Sequence, residues 1–249
     1  FLEKAGAYTL TPMPAMLRLA TRAPGLSDPP SMRKVYRLGT SMPDRMTGAR
    51  TRVLAVLEEY GGLSFTLKEV VEMAGVTPSV IKGLVSQGAV EEVDTPRDTP
   101  FLPLDPDLPS KKLTEDQTLS AKILRQAIQS QTYGTTLLKG VTGSGKTEVY
   151  LEVVAACLTA GRQALVLLPE IALTAEFLAR VQVRFGAKPA EWHSGVTMTE
   201  RRRCWRMLGE GGAQLVVGAR SALFLPFRDL GLIVVDEEHD TSYKQEDGV

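Results

Sequence analysis

The sequence has few of the residues and segments that define several protein classes. Its 249 residues include two cysteines. Cys157 and Cys204 lie far apart, which excludes a disulfide scaffold and a zinc site built on cysteine pairs within these residues. No apolar run approaches the ~20 residues that a membrane helix needs, and no apolar signal segment follows Phe1. We therefore expect a protein of the reducing cytoplasm with no membrane partner.

An excess of charge of either sign is also missing. Lys and Arg total 29 and Asp and Glu total 29, so the net charge is zero and any binding of nucleic acid must come from local patches. The hydrophobic fraction of 43% and the charged fraction of 23% are those of globular proteins, which excludes wholesale disorder. The length allows one large domain or two small ones.

The first half of the chain divides into three segments. Residues 1–48 are rich in proline and are predicted to be irregular apart from a short helix over Ala15–Ala20. Residues 49–93 predict three short helices and a strand over Ala89–Val93, which together indicate a winged helix. Its third helix, which begins at Thr77, either binds DNA or belongs to a spacer or docking module. Five prolines in residues 94–112 predict an extended linker and a domain boundary.

From residue 113 to residue 249, helical and strand patterns alternate, which predicts an α/β domain with a parallel, doubly wound sheet. We predict strands at 135–139, 164–168, 191–192, 214–218 and 232–236. We predict helices at 114–129, 147–158, 173–185 and 197–208.

One motif within this domain matches the phosphate-binding pattern GxxxxGK[ST] in full. It consists of Gly140, Val141, Thr142, Gly143, Ser144, Gly145, Lys146 and Thr147. Glycines allow backbone N–H groups to converge on phosphate oxygens, and the following helix N-terminus adds partial positive charge. Lys146 is predicted to bind the phosphates of ATP, and the Thr147 hydroxyl to ligate Mg²⁺.

A second motif supplies the acids that such a site requires. The strand Leu232–Val235 is apolar and is followed at once by Asp236, Glu237, Glu238 and His239. Ligands of parallel sheets bind at the carboxyl ends of the strands. We therefore predict that Asp236 holds Mg²⁺ and that Glu237 positions or deprotonates the attacking water.

Gln117 has two interpretations. Thr114 and Gln117 form the pattern T-x-x-Q, which is a helix capping box. Gln117 also precedes the phosphate loop by about 25 residues, where its amide donor and acceptor could read the adenine edge. Considered alone, the residues favour the cap, although the two roles are compatible.

Five sequence blocks, in this order, resemble the PriA family of bacterial replication-restart helicases, also called primosomal protein N′. They are GVTGSGKTEVY (140–150), LLPEIALT (167–174), WHSG (192–195), VVGARSALFLPF (216–227) and LGLIVVDEEHDTSYKQ (230–245). The resemblance implies that residues 113–249 are the first RecA-like lobe of a superfamily 2 helicase. It also implies that residues 1–48 are the tail of an N-terminal domain that binds DNA 3′ ends, followed by a linker.

The resemblance further implies an ATP-dependent helicase that moves 3′ to 5′, recognises stalled forks and restarts replication. Its expected partners are forked and single-stranded DNA, primosome proteins and single-stranded-DNA-binding protein. By the same analogy Gln117 reads adenine, His239 couples hydrolysis to motion, and Thr174, Arg220 and Ser221 contact DNA. The alternatives are a DNA translocase that does not separate strands and a fork-binding scaffold without catalysis.

The resemblance also leads us to expect that this chain is an internal piece of a longer protein. Zinc clusters and a second lobe with catalytic arginines would then lie in the missing C-terminal part. Such arginines are worth orders of magnitude in rate. We therefore expect these residues to bind ATP and to hydrolyse it very slowly.

Overall fold

The computed structural model describes residues 2–20, 29–60, 63–141 and 143–243. The chain divides into two compact units, Asp28–Thr99 and a larger unit made of the remaining residues. The helices and strands, in chain order, are α1 (Leu2–Thr9), α2 (Met13–Ala20), β1 (Met32–Leu38), α3 (Gly48–Glu59), β2 (Phe65–Thr66), α4 (Leu67–Ala74), α5 (Pro78–Ser86), β3 (Val90–Pro96), α6 (Glu115–Gln129), α7 (Lys146–Thr159), β4 (Gln163–Leu167), α8 (Ala175–Phe185), β5 (Ala190–Trp192), α9 (Met198–Glu210), β6 (Leu215–Gly218) and β7 (Leu230–Val235). None of the helices in the described ranges has both the length and the apolar character needed to cross a membrane.

The smaller unit packs three helices against an antiparallel sheet of strand order β2-β1-β3. Strand β1 pairs with β3 along its whole length, from Met32 opposite Pro96 to Leu38 opposite Val90. The core consists of fully buried aliphatic side chains from all three helices, at Val53, Leu57, Val70, Ile81 and Leu84. These residues recur every three or four positions on their helices, so each helix turns one apolar face inward.

Local signals determine the ends of these helices. Thr66 and Glu69 make both hydrogen bonds of a capping box at the start of α4, and Gly75 ends the helix with φ of 59°. Pro78 occupies the first turn of α5, where its missing N–H has no intrahelical partner to lose. Both helices therefore begin and end within a residue or two of the predicted positions.

The larger unit contains a four-stranded parallel sheet of order β5-β6-β4-β7. Strand β4 is buried along its whole length, as expected for a parallel strand that is covered on both faces. Apolar residues of α7 and α8 pack against one face, among them Leu151, Val154, Val181 and Phe185. Because all four strands run parallel, the segments that follow them leave from the same edge of the sheet.

The strand predicted over 135–139 is not formed. Residues 135–140 have no regular secondary structure, and Leu137 is 64% exposed. Among the described residues, β7 pairs with β4 alone and no ladder takes up the segment 135–139. An apolar segment becomes a strand only when a neighbour accepts its backbone hydrogen bonds. The prediction of a strand before the phosphate loop is therefore wrong for this structure.

The boundaries of the units also differ from the predicted segments. Strand β1 and helix α1 lie in the segment 1–48, where we expected only one short helix. Residues 100–112 belong to the larger unit. Leu104 is buried there, and its backbone N–H donates to the Gln214 side chain at 2.7 Å. Long-range pairing and packing produce these features, and local proline content does not report such contacts.

Candidate nucleotide-binding site

The phosphate loop runs from Gly140 into the first turn of α7. Gly143 and Gly145 adopt left-handed backbone angles, with φ of 81° and 80°, and Gly145 is the N-cap of the helix. The Ser144 N–H donates to the Val141 carbonyl oxygen at 3.1 Å, which closes the turn. Glycine adopts such angles without a steric cost. Thr142, predicted as part of this loop, lies outside the described residues.

Two of the loop glycines lie close against neighbouring side chains, which would have to shift to admit a Cβ. A Cβ at Gly140 would lie 2.5 Å from Ser144 Oγ, and a Cβ at Gly145 would lie 2.4 Å from Gln117 Nε2. The loop is therefore a close-packed backbone turn at a helix N-terminus, with a lysine at the first helical position. This arrangement fits the phosphates of a nucleotide, because backbone N–H groups and the helix dipole both favour an anion there.

Lys146 and Thr147 occupy the first turn of α7. The Lys146 ammonium donates to the Gly140 carbonyl oxygen at 2.8 Å. This bond uses one of its three donors and holds the side chain over the loop. Thr147 is half-buried and lies one helical turn before Tyr150, on the same face of α7.

Gln117 connects α6 to the phosphate loop. Its Oε1 accepts from the Thr114 N–H at 2.9 Å, and the Thr114 hydroxyl accepts from the Gln117 N–H, so the predicted capping box is formed. The Nε2 of the same side chain donates to the Ser144 carbonyl oxygen at 2.8 Å. One N–H remains for another acceptor. The role of Gln117 in reading adenine stays a prediction.

Asp236 follows the last residue of β7. Its backbone N–H donates to the Leu167 carbonyl oxygen of β4 at 3.0 Å, and its Oδ1 accepts from the Glu237 N–H at 3.0 Å. Glu237 has a φ of 49°, a left-handed angle that is uncommon for a residue with a side chain. This turn directs the chain away from the sheet directly after Asp236.

A buried tyrosine joins the phosphate-loop helix to the acid. Tyr150 lies on α7, is 5% exposed, and donates from its hydroxyl to Asp236 Oδ2 at 2.9 Å. Burial raises the pKa of Tyr150 above its usual value, and the charge of Asp236 raises it further, so the phenol stays protonated. Tyr150 therefore connects the phosphate-loop helix to Asp236 at one edge of the sheet.

Tyr150 was missed from the sequence, although a signal was present. A residue three positions after Thr147 on a helix lies on the same face. Tyr243 was missed as well. Its hydroxyl donates to the Asp236 carbonyl oxygen at 2.9 Å, and this contact closes a loop that sequence reasoning had no means of predicting.

The other two members of the DEEH segment, Glu238 and His239, are exposed to solvent. The Nε2 of His239 lies 3.5 Å from Glu237 Oε2. Within the described ranges, no cluster of three or more His, Cys, Asp or Glu side chains could hold a metal ion. The oxygens of Thr147 and Asp236 could hold a divalent cation only together with ligands from a nucleotide and water.

The three residues predicted to contact DNA follow strands of the same edge. Thr174 comes after β4 and caps α8, since its hydroxyl accepts from the Phe177 N–H at 3.2 Å. Arg220 and Ser221 begin a short 3₁₀ turn after β6. Arg220 is exposed and donates from Nη1 to the Tyr243 carbonyl oxygen at 3.3 Å. Their contact with DNA stays a prediction.

Known proteins similar to this chain point to one family. The sequence pattern of the DEAD/DEAH box helicase family matches residues 121–249. Replication restart protein PriA of Bacillus subtilis is 38% identical over 198 residues, which cover 77% of this chain and 24% of that protein. The PriA proteins of Rickettsia conorii (48% over 137 residues, 55% of this chain and 20% of that protein) and Synechocystis (38% over 201 residues, 81% and 24%) are also similar.

The chain thus spans about a quarter of the length of the curated relatives it matches. These matches confirm the resemblance to PriA, and the parallel sheet with its flanking helices fits the α/β RecA-like fold expected of a helicase lobe. The family's pattern covers half of the chain and includes both the phosphate loop and Asp236. The chain belongs to the DEAD/DEAH box helicase family.

Proposed function

We propose that this chain carries the ATP-binding lobe of a DNA helicase that restarts replication at stalled or abandoned forks. The observation that supports this most strongly is the link from the phosphate-loop helix to the acid, through the Tyr150–Asp236 hydrogen bond of 2.9 Å. A helicase site needs both parts at one edge of the sheet, because phosphates and metal must be held together.

Each residue of the proposed site has a distinct role. The loop glycines and Lys146 bind the phosphates of ATP, and Thr147 and Asp236 hold Mg²⁺. When bound, Mg²⁺ neutralises the charge on the phosphate oxygens. Glu237 orients or deprotonates the attacking water, and His239, next to Glu237, couples the site to motion of the DNA.

The proposed DNA track lies along the same edge. Thr174, Arg220 and Ser221 contact the backbone of a single strand, and the motor moves 3′ to 5′, as the resemblance to PriA implies. Forked DNA, primosome proteins and single-stranded-DNA-binding protein are the proposed partners. The zinc clusters that the resemblance implies would be built on cysteine pairs, which these residues do not contain.

We assign the smaller unit, which carries the predicted winged helix, to spacing or docking rather than to phosphate contact. Two cations of β1 are already paired with carboxylates of β3: Lys34 with Glu92, and Arg37 with Glu91 at 2.8 Å. The proposed recognition helix α5 carries one cation, Lys82. Nucleic-acid binding draws its affinity from unpaired Lys and Arg side chains, and α5 offers a single lysine.

Binding of a fluorescent ATP analogue tests the proposal directly. We expect these 249 residues to bind it in the presence of Mg²⁺, and Lys146→Ala to weaken binding at least roughly tenfold, since a charge-assisted phosphate contact is lost. We also expect slow hydrolysis, because superfamily 2 sites are completed by arginines of a second lobe. The absence of binding by the wild type would refute the proposed function.

The alternatives predict other results for DNA-dependent ATP hydrolysis and for fork unwinding. A translocase hydrolyses ATP with DNA but does not unwind a fork, and Lys146→Ala abolishes that hydrolysis. A scaffold without catalysis loses nothing measurable on Lys146→Ala. Unwinding of a forked duplex that depends on Lys146 supports the helicase and excludes both alternatives.

A further inference from the structure

Packing in the core does not by itself explain why residue 150 is a tyrosine and not a phenylalanine. Its ring packs in the apolar cluster that includes Leu151, Val154 and Leu168, and a phenylalanine ring would fill the same space. The hydroxyl is what distinguishes tyrosine here, and it donates to Asp236 Oδ2 at 2.9 Å. A buried hydroxyl in an apolar core is costly unless it is hydrogen-bonded, so the contact with Asp236 explains why a polar group is tolerated at this position.

Thr147 lies one helical turn before Tyr150, on the same face of α7. Thr147 and Asp236 come from different elements, the start of α7 and the end of β7. Tyr150 belongs to the helix that carries Thr147, and its hydroxyl is hydrogen-bonded to Asp236, so a single phenol connects the phosphate-loop helix to the acid.

We propose that Tyr150 is a positioning residue that orients Asp236 as a ligand of the nucleotide-bound metal. This inference rests on the proposed function, and it adds a residue that touches neither the nucleotide nor the cation.

The directions of the hydrogen bonds fit this role. Tyr150 donates its proton to Asp236 Oδ2, and each carboxylate oxygen keeps a further lone pair that a cation can use. Since Oδ1 of Asp236 accepts from the Glu237 N–H at 3.0 Å, both carboxylate oxygens are held and the plane of the carboxylate is fixed.

Hydrogen-bond partners behind metal ligands commonly change metal affinity or activity roughly tenfold to a hundredfold when they are removed. The variant Tyr150→Phe removes the hydroxyl and keeps the ring. We expect it to need roughly tenfold to a hundredfold more Mg²⁺ for half-maximal binding of a fluorescent ATP analogue. Binding of the analogue in EDTA should be the same as in the wild type.

Tyr243→Phe is the matched control. It removes a hydroxyl that also contacts Asp236, but at the backbone carbonyl oxygen, 2.9 Å away. It should leave the Mg²⁺ requirement at the wild-type value. A purely structural effect of losing a tyrosine hydroxyl near Asp236 would change both variants alike, and would overturn the proposal.

The outcomes separate this inference from the proposed function. If the wild type does not bind the analogue with Mg²⁺, both fail. If the wild type binds and Tyr150→Phe has an unchanged Mg²⁺ requirement, only the inference fails.

If Tyr150→Phe does not fold, 3-fluorotyrosine placed at position 150 alone gives a second test, because it retains the hydroxyl. Its fluorine resonance should move when Mg²⁺ is added to the nucleotide-bound protein, and a resonance that does not move would overturn the proposal.

Discussion

Gln117 donates a hydrogen bond from its side-chain Nε2 to the carbonyl oxygen of Ser144, in the phosphate loop, at 2.8 Å. The same side chain caps α6 through the Thr114 N–H. The residue that the sequence presented as a choice between a cap and an adenine reader is thus a cap that also supports the phosphate loop. This contact leads to a test that separates the two functions of the amide.

We expect Gln117→Glu to bind ATP about tenfold more weakly than the wild type while its stability is nearly unchanged. Glutamate can still accept the capping bond, but it has no donor for Ser144 and places a negative charge against a carbonyl oxygen. Loss of one hydrogen bond of ~1.4 kcal/mol corresponds to that factor. Gln117→Ala should lose the cap as well and unfold at lower denaturant. Equal ATP affinity of Gln117→Glu and the wild type would contradict the claim that the bond from Gln117 to Ser144 supports nucleotide binding.

We expect Gly145→Ala to abolish nucleotide binding and to lower the free energy of unfolding by at least about 1–2 kcal/mol, the cost of a left-handed alanine. Gly145 has a φ of 80°, and the Cβ of an alanine at this position would lie 2.4 Å from Gln117 Nε2. Gly134→Ala is the control, because nothing lies within 4 Å of a Cβ there and its φ is not positive. Calorimetry with and without nucleotide measures both effects, and unaltered binding by Gly145→Ala would be inconsistent with the loop geometry.

A buried ion pair stabilises the larger unit. Arg184 donates to Glu152 Oε1 at 2.8 Å and to the carbonyl oxygens of Pro106 and Leu108 at 3.2 and 3.0 Å. The two charged side chains are 7% and 10% exposed. Arg184 thereby fixes part of the segment that we had predicted to be a linker.

Removal of the Arg184 side chain should lower the free energy of unfolding. We expect Arg184→Met to lower the free energy of unfolding by about 1–3 kcal/mol, because Glu152 keeps only its bond with Arg125 and the carbonyl oxygens of Pro106 and Leu108 lose their donor. Glu176→Ala is the control, because it removes an exposed ion pair on the same helix, between Glu176 Oε1 and Arg180 Nη2 at 3.7 Å. It should change the free energy of unfolding by less than about 0.5 kcal/mol. Urea unfolding of both variants measures the difference. Similar values for the two would mean that the buried pair is not what holds the segment.

DNA binding should depend on Arg220 and not on Lys82. We expect Arg220→Ala to weaken binding of single-stranded DNA and to reduce its salt dependence by about one phosphate contact. Lys82→Ala, on the smaller unit, should leave both unchanged. Titrations at several salt concentrations give the affinities and slopes. A larger loss for Lys82→Ala would instead support groove binding by α5.

Predictions from the sequence succeeded where a short pattern determines the structure. The capping boxes at Thr66 and Thr114 and the turn at Gly75 depend on residues within three positions of each other. They also succeeded for β4, whose run of buried aliphatic residues admits few alternatives. Such features depend on residues that are close together in the sequence, so a local pattern is enough to predict them.

The failures share a physical cause. Strand β1 forms because β3 supplies its hydrogen bonds across more than fifty residues, and the segment 135–139 stays irregular because no ladder reaches it. The Tyr150–Asp236 contact joins residues 86 positions apart. Sequence patterns do not report which distant element will be a neighbour, so these features appear only in three dimensions.

The most direct test of the central claim is the Mg²⁺ dependence of ATP binding by Asp236→Asn. If the phosphate loop and Asp236 bind the same Mg²⁺–ATP complex, Asp236→Asn should bind ATP no more tightly with Mg²⁺ than in EDTA. The wild type should gain affinity from Mg²⁺, and Lys146→Ala should bind weakly in both conditions. An Asp236→Asn variant that keeps the full wild-type gain from Mg²⁺ would contradict the account.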